Sequence, residues 1–397
     1  MSVRVAQVTA PPRPNVGAPD IRLPADLLPS DGRFGSGPSK VRQASVDALA
    51  AAAPTYLGTS HRASTVKSMV GRLRAGLTDL FQLPDGYEVA LGNGGAALFW
   101  DMATFGLIER KSQHLAFGQF SASFAAAAKA APHLDDPEVI SSDPGTHPVL
   151  RPDPTIDAYA LTHNETSTGV AMPVRRPDGA GGSSDGALVL VDATSAAGGM
   201  RVDPAQFDAY YFAPQKCFAA DGGLWLALLS PAAVERVERV RASGRWTPAL
   251  LDLGLALENS RLDQTYNTPG LATIFLMVEQ VEWMLAGGGL DWAAGRSEAS
   301  AAALYPWAEA SAYATPFVAD PGQRSPVVGA IDLDSTVDAG MVSKILRANG
   351  IVDTESYRRL GRNQLRIAMY PAVEASDVAL LTRAIDFVAG ELLTQSS

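Results

Sequence analysis

The sequence predicts an α/β protein in which a mostly parallel sheet lies between helices and a smaller α/β unit follows. Short apolar segments alternate with alanine-rich segments of helical periodicity through most of the chain, a pattern typical of βαβ units. Glycines and polar residues recur where the apolar segments end, which is where open α/β sheets bind ligands. These observations predict the fold class and place a candidate site at the carboxyl edge of the sheet.

Seven apolar segments predict the strands of the large sheet. They comprise residues 87–92, 114–118, 138–142, 158–164, 187–192, 209–213 and 223–230. Apolar residues at helical spacing predict the helices beside them. Those segments comprise residues 39–52, 65–81, 96–108 and 121–131. Gly, Ser and Asp dominate residues 175–186, which predicts a surface loop inside this unit.

The pattern changes after about Gly270. A long helix comes first, and further segments then predict strand, helix, strand and helix in turn, at residues 326–334, 339–350, 362–371 and 377–393. We therefore expect three parts, namely an extended N-terminal segment (1–30), a large domain (31–270) and a small C-terminal domain (271–397).

Composition limits the classes of function. With 397 residues, of which 47% are hydrophobic and 19% charged, the chain can bury more than one core. Its net charge of −10 argues against a surface for nucleic acid or anionic membranes, so an anionic substrate would need a local cluster of arginines. The single cysteine, Cys217, excludes an internal disulfide. The proline-rich start lacks an apolar run long enough for a signal peptide or a membrane span, and we expect a cytoplasmic protein.

A glycine cluster follows the first predicted strand and opens a helix. The backbone amides of residues 94–97 would point towards a ligand with the helix dipole behind them, which predicts a phosphate site. The same residues fit the G-x-G-x-x-A pattern of nicotinamide dehydrogenases. Such an enzyme needs an acidic residue about twenty positions on, at the end of the next strand, to hold a ribose hydroxyl. The next predicted strand ends without one.

Two charged residues stand at the ends of buried strands. Lys216 comes shortly after the strand at 209–213, and a buried lysine amine loses its proton easily and attacks carbonyl groups. Asp192 ends the strand at 187–192, where an unpaired carboxylate would be costly. Both residues are therefore candidates for chemistry.

These residues together fit pyridoxal 5'-phosphate. The cofactor needs an amine for its aldehyde, a carboxylate for its ring nitrogen, an aromatic neighbour, donors for its phenolic oxygen and amides for its phosphate. Phe120, just past a predicted strand, offers the aromatic ring, and the polar strand end at 164–168 offers the donors. An ionised Asp192 would keep the ring nitrogen protonated, and Lys216 would act as general base and acid.

From residue 33 to the closing helix, the sequence resembles the class V, fold-type I aminotransferases, and among them the actinobacterial type of phosphoserine aminotransferase. The resemblance rests on the motifs GSGPSKV, GTSHRAS, GNGGAALFW, THNETSTG, VDATSA, FAPQKCF, YNTPG and LRIAMYPA. It implies a homodimer with its active sites at the subunit interface.

The resemblance also implies roles in cofactor binding. Lys216 matches the lysine that forms a Schiff base with the cofactor, and Asp192 matches the partner of the ring nitrogen. Phe120 matches the stacking aromatic and Thr166 the donor to the phenolic oxygen. The phosphate-binding positions are Gly95, Ala96, Ala97 and Gln215, with Asn267 and Thr268 reaching in from the partner subunit.

On the substrate side, His61 and Arg62 match a pair that meets the phosphate of phosphoserine from across the dimer. Arg366 matches the arginine that holds the α-carboxylate, through the paired hydrogen bonds that a guanidinium can donate.

The chain departs from the family at two places. Many members stack a tryptophan on the cofactor where this chain has Phe120, which offers less contact area. Many also carry a His-Arg pair where this chain has Arg359 and Leu360. Arg358, Arg359 and Arg362 are the candidates to replace that pair at the substrate phosphate.

The resemblance implies amino transfer from L-glutamate to 3-phosphohydroxypyruvate, giving O-phospho-L-serine and 2-oxoglutarate in serine biosynthesis, with pyridoxine biosynthesis as a second use. An alanine–glyoxylate or serine–glyoxylate aminotransferase is the alternative within the class, and it needs no phosphate-binding pair at 61 and 62. A nicotinamide-dependent dehydrogenase and a non-catalytic protein that keeps the cofactor for regulation are alternatives from other classes. A cysteine desulfurase is disfavoured, because its cysteine lies on a mobile loop and Cys217 adjoins Lys216.

The remaining histidines show no metal-ligand spacing, and we interpret them as structural. They are His114, His133, His147 and His163. The sequence thus predicts no metal site.

Overall fold

The structure, a computed structural model, describes residues 19–178 and 186–396. The prolines at positions 11, 12 and 14 and most of the predicted 175–186 loop lie outside these ranges.

The described residues form ten α-helices and twelve strands. The helices are α1 (Gln43–Tyr56), α2 (Ser64–Phe81), α3 (Ala96–Gly106), α4 (Gln119–Ala130), α5 (Pro231–Ala242), α6 (Leu253–Arg261), α7 (Leu271–Gly287), α8 (Gly289–Ala310), α9 (Ala339–Ala348) and α10 (Ala375–Ser396). The strands are β1 (Glu88–Asn93), β2 (Ser112–Ala116), β3 (Glu138–Ser141), β4 (Ala158–Thr162), β5 (Asn164–Glu165), β6 (Val170–Ala171), β7 (Leu188–Asp192), β8 (Ala209–Phe212), β9 (Leu224–Leu229), β10 (Ala314–Pro316), β11 (Val328–Leu333) and β12 (Gln364–Ala368).

Seven strands form one mostly parallel sheet in the order β1-β9-β8-β7-β4-β2-β3. Within this sheet β9 runs antiparallel to its neighbours β1 and β8, and the other pairs are parallel. Every residue of β4, β7, β8 and β9 is buried, as expected where helices cover both faces of a sheet. The predicted fold class is confirmed, and each of the seven predicted apolar segments coincides with one of these strands.

Alternate residues of a central strand face opposite layers. Val189 and Val191 of β7 belong to the core on the side of α2 and α7. Leu188 and Leu190 of the same strand belong to the core on the side of α3, α4, α5 and α6. Since both faces are closed by helices, side chains that need a ligand can reach one only at the strand ends.

A three-stranded antiparallel sheet, β10-β11-β12, forms a second core with α8, α9 and α10. Ile21, Leu23 and Phe34 pack into this second core, whereas most buried residues of α7 pack into the first. The division of the chain at residues 30 and 270 stays a prediction.

The long helix predicted after Gly270 is in fact two helices. The chain bends by 92° between α7 and α8 at Gly288, whose φ of 124° favours glycine. Among the described helices none alone is long and apolar enough to cross a membrane, and only this bent pair taken together meets the length and composition that a span needs.

Candidate active site

A cavity of about 450 Å³ lies at the carboxyl ends of the parallel strands. Eight of the residues predicted to bind a cofactor line it together: Gly95, Ala96, Ala97, Phe120, Thr166, Asp192, Gln215 and Lys216. Residues from widely separated segments of the chain therefore meet at one place, as the strand-end argument predicts.

Lys216 follows β8 and is buried in this cavity. Its Nζ donates a hydrogen bond to the carbonyl oxygen of Ser36, 2.5 Å away. Burial, and after it the charge of Arg366, lowers the pKa of Lys216 to about 8 from its ordinary 10.5. A Cβ at Gly37 would lie 2.3 Å from Nζ, so glycine is needed there for the amine to fit. A larger fraction of this amine is therefore neutral and nucleophilic near physiological pH than in an exposed lysine.

Asp192 ends β7, and three hydrogen bonds hold its carboxylate. Its Oδ1 accepts from the amide (3.0 Å) and the hydroxyl (2.6 Å) of Thr194. Its Oδ2 accepts from Nε1 of Trp100, 2.9 Å away. Burial raises the pKa of Asp192, and these donors, with the charge of Lys216, act against that rise. Oδ2 keeps a lone pair free for a further donor in the cavity.

The N-terminus of α3 supplies backbone donors. The helix starts at Ala96 after Gly95, and no side chain caps it. Gly94 has a φ of 121°, which favours glycine and sets the turn between β1 and α3. The first amides of a helix have no partner within the helix, so those of Ala96 and Ala97 are available to an anion at the cavity wall.

Further polar groups of the cavity can form more hydrogen bonds than they form here. Thr166 and Asn164 both donate to the hydroxyl of Ser195, each at 2.8 Å. The amide oxygens of Asn164 and Gln215 are buried and have no hydrogen-bond partner in the described part of the chain. Buried polar atoms of this kind are usually satisfied, so they point to a polar ligand.

Phe120 is held in place by Glu165, a buried residue that sequence reasoning noted only as part of a polar strand end. Oε2 of Glu165 accepts hydrogen bonds from the amides of Phe120 (3.1 Å) and Ser121 (2.9 Å) and from the Ser121 hydroxyl. It does so at the start of α4, where the N-cap Gly118 has no side chain to serve. A Cβ at Gly118 would lie 2.3 Å from Cγ of Glu165.

Arg366 on β12 lies beside the cavity. Its Nη1 donates to the carbonyl oxygen of Thr166 at 3.3 Å, and its Nε is buried without a partner among the residues that the structure describes. Burial lowers the pKa of Arg366. A half-buried guanidinium with a free donor is suited to an anionic ligand.

The four other predicted residues lie outside the cavity wall. Nδ1 of His61 is 3.2 Å from Oγ1 of Thr268, and the carbonyl oxygen of Thr268 accepts from Nδ2 of Asn93. Nε2 of His61 is buried, and no described residue forms a hydrogen bond with it. Arg62 is exposed, and its side chain has no ion pair or hydrogen bond within the described ranges. With Asn267, these residues form a polar cluster on the surface of the chain.

The structure also separates the three arginines near position 360. Arg362 donates two hydrogen bonds to Oδ2 of Asp332 and lies over the ring of Phe317 at 4.7 Å. Arg358 and Arg359 are exposed and have no such partner in the part of the chain that the structure describes. The latter two are therefore the arginines left free for an anion.

Trp100 and Tyr357 are site residues that sequence reasoning missed. Trp100 lies one turn into the helix that the glycine cluster opens, and its position four residues after Ala96 was the one available signal. Tyr357 contacts Phe120 and Arg366, and no feature of the sequence predicted that it belongs to the site. Among the described residues, no three His, Cys, Asp or Glu side chains are placed to hold a metal ion.

Comparison with known proteins agrees with this geometry. A family model described as aminotransferase class-V matches residues 149–380. The chain is 61% identical to a phosphoserine aminotransferase of a Nocardioides species, over 94% of this chain and 99% of that one. It is 58% identical to the phosphoserine aminotransferase of Rhodococcus jostii, over 93% and 98% of the two chains.

Solved structures give the same picture. The phosphoserine aminotransferase of Cytophaga hutchinsonii is 26% identical, with a TM-score of 0.80 over 90% of this chain and 99% of that one. A pyridoxamine–pyruvate aminotransferase of Mesorhizobium loti, 22% identical with a TM-score of 0.77 over 94% and 95% of the two chains, shares the fold.

Proposed function

The chain belongs to the class-V aminotransferase family, and on this premise we propose that it transfers the amino group of L-glutamate to 3-phosphohydroxypyruvate. The products are O-phospho-L-serine and 2-oxoglutarate, and the reaction is the amination step of serine biosynthesis. The observation that carries the proposal is a buried lysine, with its pKa lowered to about 8, in the same cavity as a buried carboxylate. The proposed substrate is inferred from relatives that match almost the whole chain and are named phosphoserine aminotransferase.

The cavity suits pyridoxal 5'-phosphate, because its buried amine, its buried carboxylate and its helix N-terminus match the aldehyde, the ring nitrogen and the phosphate of that cofactor. When bound, the cofactor supplies an aldehyde for amines and an electron-withdrawing ring that makes the α-proton of an amino acid acidic. Ala96 and Ala97 would hold its phosphate, Phe120 its ring face and Thr166 its phenolic oxygen. Asp192 would hold its ring nitrogen.

Lys216 would hold the aldehyde at rest and would then carry a proton to and from the substrate. A lysine can serve as both base and acid when its pKa lies near the working pH, and burial provides that condition. The hydrogen bond to the Ser36 carbonyl orients the amine towards the cavity.

For the substrate, Arg366 would bind the α-carboxylate through its free donor, and His61 with Arg62 would bind the phosphate. The surface cluster of His61, Arg62, Asn267 and Thr268 lies outside the cavity of its own chain. We propose that the protein is a homodimer in which this cluster completes the partner's site, with Arg358 or Arg359 as further contacts for phosphate.

We further propose a cytoplasmic location and a second role in pyridoxine biosynthesis, on a longer phosphorylated keto acid. An alanine–glyoxylate or serine–glyoxylate exchange is the competing proposal within the family. The dehydrogenase alternative is disfavoured, because β2 ends at Ala116 without the acidic residue that would bind a ribose hydroxyl.

The test is a comparison of amino acceptors with glutamate as donor. The purified protein, loaded with pyridoxal 5'-phosphate, should form 2-oxoglutarate much faster with 3-phosphohydroxypyruvate than with glyoxylate or pyruvate. Equal rates with glyoxylate, or faster ones, would contradict the proposed substrate. Absence of transfer with every acceptor would contradict the activity itself.

A further inference from the structure

Arg366 is a half-buried cation whose neighbours are aromatic and not acidic. Within the described ranges its Nε is buried without a hydrogen-bond partner, and a single weak bond joins Nη1 to the carbonyl of Thr166 at 3.3 Å. No carboxylate in the described ranges forms an ion pair with it, although most other arginines of the chain have one. A partly desolvated charge without a counter-ion is costly unless a ligand supplies one.

The aromatic ring of Tyr357 lies against this guanidinium. Cζ of Arg366 is 5.2 Å from the centroid of the Tyr357 ring, within the range of a cation–π contact. The same ring is 6.1 Å from the ring of Phe120, tilted by 53°. Tyr357 therefore joins the arginine proposed to hold substrate to the aromatic residue proposed to hold the cofactor.

The backbone sets the position of Tyr357. The amide of Arg366 donates to the carbonyl oxygen of Thr354 at 3.0 Å, and Glu355 forms an isolated bridge with Leu365. The segment before Tyr357 is thus attached to the strand that carries Arg366, so the two side chains are placed relative to each other by a short stretch of paired backbone.

An aromatic neighbour leaves the hydrogen-bond donors of Arg366 free, whereas an acidic neighbour does not. A carboxylate would occupy the donors of Arg366 and would compete with the carboxylate of a substrate. The face of a ring attracts the cation through its quadrupole and accepts no conventional hydrogen bond. It can hold the guanidinium in place while the Nε donor stays available.

We propose that Tyr357 is a positioning residue for substrate binding, which holds Arg366 against its ring with the donors free. The proposal rests on the proposed function and adds a residue that acts on the α-carboxylate common to both substrates. Loss of the Tyr357 ring therefore weakens the binding of glutamate and of the phosphorylated keto acid alike, whereas loss of Arg62 weakens the binding of the phosphorylated substrate.

The experiment compares Tyr357→Leu, which removes the ring, with Tyr357→Phe, which keeps it. We expect Tyr357→Leu to raise KM for both substrates by about 3- to 30-fold, the range of a partly desolvated cation–π contact, with a smaller change in kcat. Tyr357→Phe should stay within about twofold of the unaltered enzyme, since the ring persists. The matched control is Phe317→Leu, which removes the ring under Arg362, a residue already paired with Asp332.

A binding measurement separates this proposal from the proposed function. Glutarate, the dicarboxylate of glutamate without its amino group, is titrated by calorimetry into the holoenzyme of each variant. Weaker glutarate binding in Tyr357→Leu, but not in Tyr357→Phe or Phe317→Leu, supports the positioning role. Equal binding in all variants, or an equal loss in Tyr357→Phe, overturns it. Failure of the unaltered enzyme to form phosphoserine would count against the proposed function alone, because the glutarate comparison would still be readable.

Discussion

Single residues at the strand ends decide the chemistry, and they differ in how far sequence predicts them. Lys216 and Asp192 could be predicted, because a charged residue directly after a buried strand has to be paired or used. Trp100 could not be assigned to Asp192, since its bonded partner lies 92 positions away and the contact depends on the packing of α3 against the sheet. The buried pair of Lys216 and Asp192 leads to two predictions.

The first concerns the pKa of Lys216 in the cofactor-free protein. Between pH 8 and 10.5 the unfolded chain keeps a proton that folded Lys216 has released, so the contribution of Lys216 to the free energy of unfolding should rise with pH across this window, against the opposite contribution of Cys217, whose pKa burial raises. Lys216→Met should abolish amino transfer and remove this rise, as measured by urea unfolding at several pH values. Lys344→Met, at an exposed position on α9, is the control and should keep the rise. Parallel curves for the Lys216→Met and unaltered proteins would mean that the buried amine has an ordinary pKa.

The second concerns the charge of Asp192. Asp192→Asn keeps the shape of the side chain but removes the negative charge that faces the cavity, and its amide nitrogen replaces an oxygen that accepts from Trp100 or Thr194. We expect turnover to fall by about a hundredfold or more, because preorganised charge at a reacting group has effects of that size. Cofactor affinity, measured by equilibrium dialysis, should fall less. Asp136→Asn, at an exposed position, should change neither quantity. Near-normal turnover in Asp192→Asn would leave Asp192 as a structural carboxylate.

At the scale of elements, prediction succeeded where one pattern governs a whole segment. The parallel strands are buried on both faces, so each appears as a continuous apolar run. The two-residue strands β5 and β6 are too short to show a period, and the bend at Gly288 was hidden within a helical pattern that continues on both sides. The start of α4 likewise depends on Glu165, which lies 44 residues away from Ser121 in sequence.

That dependence predicts a loss of stability in Glu165→Gln. The carboxylate of Glu165 accepts hydrogen bonds from three residues, and the amide of glutamine would turn a donor towards some of them. A lost hydrogen bond to a charged group costs about 1.5 to 3 kcal/mol, and we expect the free energy of unfolding to fall by about that amount. Glu258→Gln, which alters a surface ion pair with Arg241, should cost less than about 1 kcal/mol in the same denaturant titration. Equal losses in the two variants would contradict the role of Glu165 at α4.

At the scale of the whole molecule, the cavity of a single chain is only part of the proposed site. It holds the residues for the amine, ring and phosphate of the cofactor, but His61, Arg62, Asn267 and Thr268 lie outside its wall. Sequence motifs could predict that those four residues belong to a site, but the sequence of one chain does not show which subunit's cavity they complete. In a protein with a net charge of −10, a phosphorylated substrate needs local positive charge. Arg62 is exposed, its side chain has no partner among residues 19–178 and 186–396, and it can provide that charge to a neighbour.

Mixed dimers test whether Arg62 acts across subunits. Arg62→Ala should weaken the binding of the phosphorylated substrate far more than the binding of glutamate, and Lys216→Met should be inactive. If Arg62 serves the partner's cavity, a heterodimer of the two variants contains one site with both residues intact, because that site takes Lys216 from the Arg62→Ala chain and Arg62 from the Lys216→Met chain. Denaturing and refolding an equal mixture with two different affinity tags isolates this heterodimer. We expect it to recover up to half of the activity of the unaltered dimer at low substrate concentration. An isolated heterodimer no more active than the parent variants would show that Arg62 serves the cavity of its own chain, since then neither site would hold both residues.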